Sequence, residues 1–121
     1  MDAEALGKKI LAVDPAFLWV VVLNAKGEAL ARVYSEKYVS RDRLREQTKA
    51  KFGILDAIFL GAASQAEEWY GKMDFILLSY QETKMMLMYN KKHELHFATK
   101  IALSANAEDL YLKVKPVLSR A

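Results

Sequence analysis

Residues 53–64, GILDAIFLGAAS, form a stretch of twelve with a single charge, Asp56, inside a longer pattern of helical period. A soluble helix ordinarily keeps one face for the core and one for water, so a segment apolar all round needs cover on both sides. One cover is the chain's own sheet, and the other is a second copy of the chain or a partner. At 100° per residue, Leu44, Leu55, Ile58, Phe59, Ala62, Ala63, Ala66 and Trp69 fall in one broad stripe, the face expected to pack on a sheet. Ala50, Gly53, Ala57, Gly61 and Ser64 form a second stripe roughly opposite, bordered by Leu60 and Ile54.

Outward from this helix, expected over about Ser40–Tyr70, the pattern gives the remaining elements. Asp2 is placed to cap a helix of about twelve residues carrying Leu6, Ile10 and Val13, which Pro15 stops. Ala16–Leu23, AFLWVVVL, is β-branched and aromatic on both alternating faces and runs into the turn residues Asn24-Ala25-Lys26-Gly27. Glu28–Tyr34 returns as its hairpin partner, with Leu30 and Tyr34 on one face and Ala29, Ala31 and Val33 on the other. After Gly71, a helix stop, Asp74–Tyr80, Lys84–Tyr89 and Glu94–Lys100 read as three strands joined by short polar links. Asn106 with Asp109 opens a last helix bearing Leu110, Val114, Val117 and Leu118, which Pro116 is expected to kink or shorten. The order α-β-β-α-β-β-β-α predicts an α/β protein of the α+β kind. It has one five-stranded antiparallel sheet, the long helix on one face and the terminal helices on the other.

Composition bounds the function. The 121 residues, 53% hydrophobic and 27% charged, suit a single domain over 1–121 with one core. The absence of cysteine removes disulfides, thiolate nucleophiles and cysteine-held metals. Neither a secretory leader nor an uninterrupted apolar run of membrane-spanning length is expected from the pattern, which points to a cytoplasmic protein. The net charge of +3 is mild, and the densest basic region, Lys37–Lys51, points in several directions on a helix, as a solvated helix start does.

No catalytic pattern stands out, and no cofactor is expected. His93 and His96 are the only histidines, and their three-residue offset on a strand sends them to opposite faces, which disfavours a shared metal. Glu94 shares the face of His96, as an ordinary sheet-surface pair would. No serine lies in a G-x-S-x-G setting. Gly71-Lys72 lacks both the upstream glycine and the following hydroxyl of a phosphate-binding loop. Met86 and Met88 alternate with Met85 and Leu87 as in a buried strand, and Trp19, Trp69 and Tyr70 read as core or core-edge aromatics.

The order of elements, with WVVVLNAKGEALAR as first hairpin, a long small-residue helix ending at EEWYGK and DFILLSYQETKMMLMYNKKHELHFATK as a three-stranded meander, resembles the roadblock family of dynein light chain-like proteins, within the longin-like superfamily. The Gly71-Lys72 turn before Phe75-Ile76-Leu77-Leu78 is most similar to archaeal roadblock-like proteins. The resemblance implies a non-enzymatic scaffold or regulatory module. It would form a homodimer, or a heterodimer with a similar module, and serve a small Ras-like GTPase or a larger assembly. Roadblock dimers meet through the long helix and a sheet edge, which makes Ala50, Gly53, Ala57, Leu60, Gly61 and Ser64 the expected interface. Small residues permit close helix approach, and two glycines inside a helix, at about 1 kcal/mol each relative to alanine, need a packing reason. In the competing reading, these small residues are semi-exposed or covered by another part of the same chain. Arg41, Arg43 and Arg45 are available near a helix start as a catalytic arginine supplied to a GTPase in trans, although nothing in the sequence distinguishes them from surface arginines. Two other functions compete: a profilin-like domain sensing a small molecule between sheet and helix, and nucleic-acid binding through the Lys37–Lys51 region.

Overall fold

Asp2 caps the first helix as its position demands, Oδ1 accepting the Ala5 amide at 3.1 Å. In the computed structural model, which describes residues 2–36, 38 and 46–120, this helix is α1 (Ala3–Leu11). β1 (Phe17–Leu23) and β2 (Ala29–Tyr34) follow as an antiparallel hairpin. Its turn is held by Asn24, whose Oδ1 accepts the Lys26 and Glu28 amides at 3.0 Å each, and Gly27 supplies the positive φ of 85°.

Next come α2 (Glu46–Ser64), a four-residue α3 (Glu67–Tyr70), β3 (Ile76–Ser79), β4 (Lys84–Asn90), β5 (Leu95–Ile101) and α4 (Ala107–Arg120). The five strands form one sheet in the order β2-β1-β5-β4-β3, antiparallel at every junction. The predicted α+β architecture is therefore the observed one. Asn106 caps α4 through the Asp109 amide at 3.1 Å. Pro116 sits exposed within α4, which nevertheless runs on to Arg120, so the expected shortening does not occur.

The two faces of the sheet are covered unequally. On one, α1 lies over β1 and β2 and α4 over β4. Leu6, Ile10, Phe17, Val20, Val22, Met86, Met88, Phe97, Ile101, Leu110 and Val114 are buried there in one large cluster. The other face has α2 across β4 and β5, and its buried cluster is only Leu23, Leu60, Leu87 and Ala98. Met86 and Met88 thus point one way and Leu87 the other, as the alternation predicted.

The expectation for the faces of α2 is reversed. Gly53, Asp56, Ala57 and Leu60 turn to the sheet, whereas Phe52, Ile54, Leu55, Ile58 and Phe59 point away from it. The cause is a backbone contact. A Cβ on Gly53 would stand 2.5 Å from the Gly27 carbonyl oxygen, and one on Gly27 would stand 2.6 Å from that of Gly53. The helix thus presses its glycine onto the hairpin turn, a separation that a methyl group prevents and that rotates the bulky residues outward.

Two further differences concern the helix ends. The expected span from Ser40 begins partly outside the described residues. At its far end the helix breaks after Ser64, where the Gln65 and Ala66 amides bond to the carbonyls three residues back. The stripe that was to continue through Ala66 and Trp69 is cut there, leaving Trp69 74% and Tyr70 88% exposed instead of at the core edge.

Glu67 ties α3 down. Its carboxylate accepts from Lys91 Nζ at 2.6 Å, from the Tyr89 hydroxyl and from the Met73 amide at 2.7 Å. Lys91 first, then Tyr89 and the amide, hold the carboxyl down to about 2.

Gly53→Ala is expected to lower stability in urea by about 2 kcal/mol, the cost of forcing extra volume into a packed contact. Gly61→Ala, at a helix position with nothing within 4 Å of the added carbon, should raise it by up to about 1 kcal/mol. Equal midpoints for Gly53→Ala and wild type would refute the backbone contact.

Asp56 yields a second prediction. It is 7% exposed, and burial raises its carboxyl from 3.8 to about 6. Between those values the folded chain holds more proton than the unfolded one, so this group's contribution to stability is present at low pH and is lost as pH rises. Relative to Asp56→Asn, wild type should lose about 2 kcal/mol between about pH 4 and pH 7. A parallel pair of stability–pH curves would contradict this.

Candidate functional site

The outer face of α2 is the largest departure from ordinary surface chemistry. Phe52, Ile54, Leu55, Ile58 and Phe59 each expose between 42 and 56% of their area. Their spacing places Ile54, Leu55 and Ile58 on adjoining turns of one side, with Phe52 and Phe59 along its border. Lys51, also exposed, is the one charge among them. Single exposed leucines are normal on a protein, but a contiguous set of large side chains on one rigid helix marks a contact surface.

The six residues expected at an interface do not form one exposed strip. Gly53, Ala57 and Leu60 are buried against the hairpin and sheet of their own chain, so the competing reading, cover by another part of the chain, describes these three. Ala50 and Gly61 are exposed, and Ser64 is half-buried with its hydroxyl donating to the Gly61 carbonyl at 2.8 Å. Sequence reasoning missed the large residues because it assigned them to the sheet. The available signal was the pairing of a turn glycine, Gly27, with a helix glycine, Gly53.

The sheet edge next to the strands that α2 covers is β3, four residues paired, among the described residues, with β4 alone. Ile76 and Leu78 pack partly into the α2-side cluster, while Leu77 is 41% exposed. The outer backbone N–H and C=O groups of this edge have no ladder partner among the described residues and are available to another strand, over a short length.

The other candidates acquire places without forming a catalytic group. His93 is exposed, and its amide donates to Asn90 Oδ1 at 3.1 Å in the β4–β5 turn. His96 is half-buried with Nδ1 enclosed and, among the described residues, without a hydrogen-bond partner, and burial lowers its pKa from the ordinary value. The cavity beside it, about 190 Å³, is lined by Leu60, Gly61, Ser64, Tyr89 and Glu94 among others. Glu94 takes up a positive φ of 52° at the strand start. Among the described residues, no group of three or more acidic, cysteine or histidine side chains is placed to hold a metal. No helix among them is long and apolar enough to cross a membrane. Arg41, Arg43 and Arg45, with much of the Lys37–Lys51 region, lie outside the described residues.

No protein-family model matches the chain, and no curated protein matches its sequence. Solved structures do match its fold. A roadblock/LC7 domain from Streptomyces avermitilis superposes with a TM-score of 0.72 at 12% identity, covering 99% of this chain and 94% of that one. The gliding protein MglB from Thermus thermophilus gives 0.69 at 11% identity, over 94% and 81% of the two chains. A structure of MglB in a tetrameric arrangement gives 0.71 at 12% identity, over 96% and 82%. At such identities the likeness is one of architecture, and the architecture of this chain is the roadblock fold.

Proposed function

We propose that this protein is a non-enzymatic, self-associating scaffold of the roadblock type, dimeric through the outer face of α2 and the β3 edge. The observation that carries this reading is the exposure of Phe52, Ile54, Leu55, Ile58 and Phe59 on one helix face in a single chain. Removing one such side chain fully from water is worth about 1.5–3 kcal/mol, so burying even part of five of them is a substantial drive to associate. A patch on one straight helix is suited to a two-fold contact in which each copy presents the same residues. The tetrameric arrangement of MglB supports assembly as a property of this fold.

In this reading the interface differs from the strip of small residues: Gly53, Ala57 and Leu60 build the fold, while Ala50 and Gly61 lie at the borders of the contact. The service rendered to a partner is that of a platform for a small Ras-like GTPase or a larger assembly, as the roadblock resemblance implies. The same module paired with a relative instead of itself would use the same face.

Light scattering at tens of micromolar should give about twice the 13.7 kDa chain mass. Ile58→Arg, at the middle of the exposed face, should return the mass to that of one chain with an unchanged far-ultraviolet spectrum. A wild type of single-chain mass would remove the dimer. For the partner, wild type should capture a GTP-binding protein from its own cell and Ile58→Arg should not. A captured set holding no GTP-binding protein would remove the GTPase limb.

A further inference from the structure

At the end of the sheet that also carries the β1–β2 turn, an open groove of about 610 Å³ lies between the α3–β3 link, the β4–β5 turn and the last turns of α4. None of the five outer α2 residues lines it. Its floor is amphipathic: Met73, Tyr89, Tyr111 and Leu118. Its rim is cationic, with Lys72 from the link, Lys91 and Lys92 from the turn, and Lys115 from α4.

Among the described residues, the charges around the groove are not balanced. Glu67, the carboxylate at the groove, is taken by Lys91, Tyr89 and the Met73 amide. Asp74, just beyond it, stands near the Tyr111 phenol, whose pKa is raised by burial first and by that carboxylate second. Lys72, Lys92 and Lys115 are exposed, and among the described residues none of the three has a carboxylate partner. Three elements distant in sequence therefore deliver three uncompensated ammonium groups to one trough with an aromatic and aliphatic floor.

We infer that this groove binds an acidic, apolar-containing peptide segment of a partner protein, independently of association through α2. The arrangement selects carboxylates spaced along a chain over a compact phosphate. A phosphate site gathers converging donors, arginine forks or a helix N-terminus. Here the ammonium groups stand on different walls, no arginine among the described residues lines the groove, and α4 enters by its carbonyl end, which repels a concentrated anion. An extended segment instead sets acidic side chains against the rim while its apolar side chains meet Tyr89, Tyr111 and Leu118. Rim lysines of this kind contribute steering and specificity, with strong dependence on salt.

The test is fluorescence anisotropy at low ionic strength with a fluorescein-labelled peptide of alternating glutamate and leucine. The full chain should bind it, and salt should weaken binding. Lys72→Glu/Lys115→Glu should weaken it by about ten-fold or more, whereas Lys72→Arg/Lys115→Arg should stay within about three-fold of wild type. Lys9→Glu/Lys26→Glu changes net charge equally at exposed positions outside the groove and should also stay within about three-fold. Absence of binding overturns the inference. So does an equal loss in both charge-reversal pairs, which would mean a diffuse field. Displacement of the peptide by inorganic pyrophosphate at concentrations matching the protein would overturn it in favour of a phosphate ligand. Ile58→Arg should leave peptide binding unchanged, which separates failure of this site from failure of the α2 contact.

Discussion

The meeting of two glycine backbones, Gly27 in the first hairpin turn and Gly53 in the long helix, fixes the orientation on which the α2 side of the molecule depends. Contact at this range admits no Cβ on either side, and it pins the rotation of α2 about its own axis. Once Gly53 faces the turn, the residues three, four and seven positions on, Asp56, Ala57 and Leu60, must face the sheet as well. The cost of a helix glycine is then offset by a tertiary contact. Gly61 has no comparable neighbour and keeps its cost.

The consequence is an unequal molecule. On the terminal-helix side, large side chains from α1, α4 and four strands interlock, and even the buried Thr99 hydroxyl is satisfied by donating to the Met86 carbonyl at 2.9 Å. On the α2 side, Leu60 is the one large apolar residue the helix contributes to a buried cluster, beside a carboxylate, Asp56, whose burial favours its neutral form. That layer is thin by construction. A helix with its larger apolar residues inward would build a thicker core and leave no apolar outer face.

The strands were legible because a sheet with both faces covered imposes its alternation directly on the residues. Met86 and Met88 against Leu87, and Val20 and Val22 against Leu23, declare their faces without any knowledge of neighbours. Their order, and the caps at Asp2 and Asn106, likewise follow from local chemistry. The helix was different because its two stripes are both apolar, so periodicity located the helix without saying which stripe was inward. The rule that larger residues go inside then chose wrongly, since the distance between helix and hairpin was set by glycines lying 26 residues apart in the chain. The lysine groove was illegible for a related reason. Lys72, Lys92 and Lys115 belong to three separate elements and show no cluster in sequence.

Exposure of the outer α2 face has a physical logic in this fold. A helix that offers phenylalanine, leucine and isoleucine on a rigid, straight surface has already met the backbone ordering cost that a flexible contact would meet on binding. The neighbouring helix end adds Trp69 and Tyr70, held in place by the ties of Glu67 to the β4–β5 turn and the link. The side chains that pack on the sheet and the large apolar ones left exposed are thus partitioned on opposite sides of one helix. The partition is enforced by backbone contact, so under the proposed association a substitution on the outer side would alter self-assembly while leaving the inward packing intact. A substitution at Gly53 acts in the opposite sense, turning the helix and with it the whole exposed face. That asymmetry explains why a stripe of small residues marks the inside here: closeness to the sheet, and not closeness to a second helix, is what the missing side chains provide.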